Sequence, residues 1–181
     1  MKKSTLREMI MSGLFIAMGL VFPMVFHLFG QGLGKSFLPM HIPVLLAGFI
    51  LSLPFAVAVG ALTPLLSSFL TGMPPMFPVL PYMAIELTVY AAVANIMSRK
   101  LKLNTYLSLI ISMVAGRIAA GIIVWGMVGI FGVKLPGPLA FIVSTVTVGI
   151  PGIIIQLVFI PPVIILLKKT NIIRNEVYQV E

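Results

Sequence analysis

The chain has 181 residues, 60% of them hydrophobic and 9% charged, and its 12 Lys and Arg outnumber 4 Asp and Glu to give a formal net charge of +8. A single water-soluble globule of this size cannot enclose that much apolar surface, so the composition points to an integral membrane protein. Cysteine is absent, which excludes disulfides, thiol catalysis and cysteine-ligated metals. Long unbroken apolar runs, in place of short alternating ones, predict a helical bundle and not a barrel.

In chain order, the runs fall at 9–28, 40–53, 55–71, 80–98, 105–131 and 138–167, which predicts an all-α bundle of six membrane spans in a single domain covering 1–181. The basic start MKKSTLREMIMSGLFIAMGLVF is interrupted by Glu8 and carries no A-x-A-like cleavage site, so a retained first helix is expected. In it, Gly13 and Ala17 stand four residues apart, a spacing that lets another helix approach closely, whether inside the bundle or on another membrane protein. The second run opens with FLPMHIPVLLAG. There Pro39 and Pro43 fix a helix start, where the missing N–H groups have no intrahelical partner in any case, and His41 is expected at the outer mouth. Between the second and third runs only SLPFA, 52–56, offers a break, and each flanking run is short for a crossing of about 20 residues.

Six crossings put both termini on one side. Lys2, Lys3, Arg7, Arg99, Lys100, Lys102, Lys168, Lys169 and Arg174 would share that face, against Lys35 and Lys134 on the other. The positive-inside rule then makes both termini cytoplasmic in a multi-pass protein of the cell membrane. Scattered as span anchors, these charges do not form a nucleic-acid surface. The outward loops HLFGQGLGKSFLP, TGMPPMFP and FGVKLPGP mix Gly and Pro with apolar residues and read either as connectors or as a lid over an outward cavity.

Ionisable groups inside a span cost about 2.5–3.5 kcal/mol on insertion scales and so face a cavity or each other. Glu86 lies about 9 Å below the outer start of the fourth run and Arg117 about 12 Å below the outer surface, so the two can meet at one level. They form either an ion pair tying two helices together or the acceptor and donor of a ligand site. Tyr82, Tyr90 and Trp125 are interface anchors or rings on which a flat ligand stacks, and Met73 belongs to the adaptable outer methionines. No Walker-type loop, H-E-x-x-H or G-x-S-x-G motif occurs, and a lone His41 with a lone Glu86 makes a poor acid–base set. The chain therefore reads as no enzyme, with any energy source supplied by a partner.

The segments LPMHIPVLLAGFIL (38–51), VGALTPLLSSFLTGMPPMFP (59–78), ELTVY (86–90) and AGR (115–117) resemble the substrate-binding S component of energy-coupling factor (ECF) vitamin transporters. The resemblance covers nearly the whole chain, with MHIPVLLAG and LTGMPP its most specific parts. It implies a six-helix subunit that binds a water-soluble vitamin or precursor from outside and topples in the membrane. Its implied partners are a transmembrane coupling protein and two cytoplasmic ATPases, which hydrolyse the ATP, while this chain binds no cofactor. The family pocket is built from the outer loops and the outer halves of helices four to six, and the A-x-x-x-A docking motif of its first helix has Gly13-x-x-x-Ala17 as the nearest match here. MHIPV with LTGMPP is most similar to proteins assigned to α-ribazole, then to pantothenate or hydroxymethylpyrimidine. A stand-alone facilitator or small secondary transporter of a small polar metabolite is the other reading of the same bundle.

Overall fold

The computed structural model describes residues 3–28, 30, 34 and 36–169. Lys2, Lys35 and Arg174 of the charge argument, residues 29, 31–33 and 35 of the first outward loop and the side chain of His27 lie outside what is described. The described residues form six α-helices: α1 (Lys3–Leu28), α2 (His41–Ile50), α3 (Leu53–Thr71), α4 (Val79–Asn95, extended by a π-helical turn over Ile96–Lys100), α5 (Thr105–Gly129) and α6 (Pro138–Lys169). Among them α1 and α3–α6 are long and apolar enough to cross a membrane.

The second expected crossing takes a different form. With ten residues, α2 rises only about 15 Å, roughly half a hydrocarbon core. Its C-terminal end is stopped where Leu51 and Ser52 turn extended and Pro54 opens the first turn of α3, so SLPFA is a true break. An interrupted helix leaves carbonyl groups with no intrahelical partner, and lipid supplies none. Side chains take that role here: Asn95 Nδ2 donates to Gly48 O at 2.9 Å and Leu51 O at 2.7 Å, and Arg99 Nη2 donates to Ile50 O at 2.8 Å. On the α1 side, the Ser52 hydroxyl donates to the Glu8 carboxylate.

Helix α4 is the hub, and small residues let its neighbours reach it. A Cβ added at Gly48 of α2 would stand 2.8 Å from Ala91 O, and one at Gly60 of α3 2.8 Å from Leu87 O. At Gly116 of α5 the added atom would stand 2.0 Å from the Tyr90 ring. Glycine at these points is what permits the close approach. The core between these helices is fully buried, with Phe49, Leu45, Leu87, Tyr90, Leu109 and Ile160 among its largest side chains. Large apolar side chains also cover the outside of the long helices, as with Ile10 and Leu14 on α1, Phe69 on α3, and Ile118 and Ile122 on α5. Exposed apolar surface in this amount suits a lipid solvent and not water.

Candidate functional site

Glu86 occupies the third turn of α4, 2% exposed, and three side chains from three helices converge on its Oε1. Arg117 of α5 places Nη1 at 2.9 Å, the Tyr90 hydroxyl one turn along α4 donates at 2.9 Å, and His41 Nε2 of α2 lies at 3.8 Å. The expected meeting of Glu86 and Arg117 is therefore realised. Charge-assisted bonds from guanidinium and phenol offset the desolvation of a carboxylate placed this deep. The His41 ring also packs edge-on against Tyr90 at 5.4 Å between centroids.

His41 is a correction. The sequence put it at the outer mouth, whereas it is 3% exposed and level with Glu86. The reason is the shortness of α2: the chain descends before the helix starts, so the first helical residue lies inside the bundle. Pro43 does fall in the first turn as expected, and His41 N–H donates to Leu38 O at 3.0 Å.

Hydrogen-bonding capacity remains unspent around this cluster. Among the described residues, both His41 ring nitrogens and Arg117 Nη2 are buried without a hydrogen-bond partner. Such groups are costly in a protein interior and mark places where a further partner belongs. The segment Ser36–Leu38 crosses α6 beside them. A Cβ at Gly152 would stand 2.6 Å from Phe37 O, and one at Gly149 3.1 Å from the Leu38 side chain and 3.5 Å from Arg117 Nη2. Leu38 is held there at φ +50°, a left-handed conformation that costs a branched side chain on the order of 1 kcal/mol or more.

The other expected site residues are placed apart from Oε1. Tyr82, one turn outward of Glu86, is half-buried and stacks edge-to-face on Phe141 of α6 at 4.9 Å. Met73 is positioned by the turn after α3, its carbonyl accepting from Ser67 Oγ at 2.6 Å and Thr71 Oγ1 at 3.2 Å. Trp125 is 64% exposed on the same outer stripe of α5 as Ile118 and Ile122, so it faces away from the cluster and corrects the expectation of a stacking ring. Gly13 and Ala17 are exposed on α1, and a Cβ at Gly13 would meet nothing within 4 Å.

One residue escaped the sequence reading. Gln156 of α6 is fully buried with neither amide atom partnered among the described residues, one turn beyond Gly152 on the face that meets Ser36–Leu38. A count of ionisable groups passes over it, although an amide within a 32-residue apolar helix is itself the signal. A shallow cleft of about 690 Å³ also opens among Phe77, Pro81, Met127, Phe131, Val133 and Lys134. Its lining includes none of the Glu86 cluster.

Residues 7–164 match the family model described as "ECF transporter, substrate-specific component". No curated protein and no solved structure matches the chain.

Proposed function

Because the chain belongs to the substrate-specific components of ECF transporters, we propose that it captures a water-soluble vitamin or vitamin precursor at the Glu86–Arg117–His41–Tyr90 cluster, α-ribazole ahead of pantothenate or hydroxymethylpyrimidine. The observation that carries this reading is the set of buried polar atoms still lacking partners, Arg117 Nη2 and both His41 nitrogens, grouped inside an apolar bundle. A site that needs a partner to be satisfied binds selectively, because an analogue that fails to make those bonds leaves them unmade. The strap Ser36–Leu38, seated on Gly149 and Gly152, closes the site on the α6 side.

On this reading the chain sits in the cell membrane with both termini cytoplasmic, binds no cofactor, and relies on a transmembrane coupling protein and two ATPases for energy. The exposed stripe around Gly13 and Ala17 is the docking face, since nothing among the described residues covers it. Calorimetric titration of the purified protein reads ligand binding, and Arg117→Ala weakens it. Uptake by the chain coexpressed with a coupling module disappears when the ATPases are inactive. Undiminished uptake under that condition would replace this reading with a stand-alone facilitator.

A further inference from the structure

We infer that the ligand of the Glu86 cluster is an uncharged molecule presenting a hydrogen-bond acceptor to Arg117, and that a carboxylate of the same shape is rejected. The inference rests on the ligand site proposed above and specifies the chemistry of its occupant.

Charge count carries it. Glu86 and Arg117 cancel at 2.9 Å, leaving the pair neutral. The titratable neighbours of Glu86 are Arg117, His41, Tyr90 and Tyr82, and those of His41 are Glu86 and Arg117. No second fixed cation thus backs Arg117 among the described residues. A ligand carboxylate on Nη2 would share one guanidinium with Glu86, holding two like charges on adjacent edges of the same group where water does not screen them. Turning Arg117 wholly onto the ligand gives no relief, because Glu86 would then keep only the Tyr90 hydroxyl and a neighbouring imidazole.

The unspent valences suit a neutral partner. Arg117 Nη2 is a donor with no acceptor, and a neutral imidazole offers one donor and one acceptor nitrogen, both buried and unpartnered at His41. A ring nitrogen, carbonyl or hydroxyl satisfies these atoms without adding charge. The missing side chain at Gly149 lets both the Leu38 side chain and Arg117 Nη2 lie close against α6, since a Cβ there would stand 3.1 Å from the one and 3.5 Å from the other.

The test is calorimetry on the wild-type chain in lipid nanodiscs with α-ribazole, hydroxymethylpyrimidine, pantothenate and pantothenol, the last carrying an alcohol in place of the carboxylate. The tightest ligand is expected to be neutral, and pantothenol to bind about tenfold or more tightly than pantothenate where either binds. Glu86→Gln, which leaves Arg117 uncompensated, is expected to raise the pantothenate-to-pantothenol affinity ratio about 100-fold. Wild-type protein that holds pantothenate tenfold more tightly than pantothenol overturns the inference and leaves the ligand site standing. Binding that Arg117→Ala does not alter removes the site itself, a separate failure. If none of the four compounds binds, the vitamin reading falls and takes the inference with it. The wild-type comparison decides the matter even where Glu86→Gln is unstable.

Discussion

Asn95→Leu tests how the broken helix pair is tolerated. The substitution keeps the buried volume roughly constant and deletes the donor that serves Gly48 O and Leu51 O. Arg99 still holds Ile50 O, so two carbonyl groups are orphaned and the rest of the junction is left as it was. Buried acceptors without a partner cost about 1–3 kcal/mol each, whereas hydrogen bonds measured within membranes average about 0.6 and reach about 1.7 kcal/mol. Asn95 is nearly fully buried and both its bonds are short, which places this pair toward the upper membrane values. The expected loss is therefore about 2–3 kcal/mol in total. It is measured by denaturant unfolding in detergent micelles, followed by circular dichroism. Ser98→Ala serves as the control: its hydroxyl bonds back to the local backbone carbonyls of Ala94 and Asn95 and reaches no other helix, and it should shift stability by less than about 0.5 kcal/mol. If Asn95→Leu matched wild type within that margin, side-chain capping of the α2 end would not be what holds the break.

Gly13→Leu is expected to leave folding and ligand binding unchanged, because an added side chain there meets open space, yet to abolish uptake with the coupling module. Normal uptake would remove α1 from the docking face. Gly116→Ala places a Cβ against the Tyr90 ring and should cost about 1–3 kcal/mol in the same unfolding assay. The ring that must yield also donates to Glu86, so ligand affinity falls with it. Gln156→Leu removes an unmatched buried amide and should raise stability by about 1 kcal/mol or more, whereas a loss would mean that a bound molecule or water satisfies Gln156.

Depth arithmetic along the fourth and fifth runs was enough to bring Glu86 and Arg117 together, because two charges in continuous helices have only a rise per residue to set their level. His41 defied the same arithmetic. Its depth depends on where a chain that is not helical starts to descend, and no periodicity records that. The break at Ser52 was visible only as a weak composition signal; what makes it stable, Asn95 and Arg99, lies more than 40 residues away and can be identified only in three dimensions. Trp125 shows a further limit of reading by type: an aromatic residue at the right height can be on the wrong side of its helix. The Arg117 and Gly121 face of α5 stays buried through Val124 and Met127, whereas Trp125 falls on the exposed stripe that runs through Ile118 and Ile122.

The outward placement of Trp125 gives the molecule a use its ligand chemistry does not. As the only tryptophan, standing free of the bundle on α5, it works as a depth gauge. Lipids brominated at successive chain positions would quench its emission according to its distance from the bilayer midplane. A tilt or rotation of the whole bundle would move that quenching maximum, whereas closure of Ser36–Leu38 over the Glu86 cluster in a stationary bundle would not.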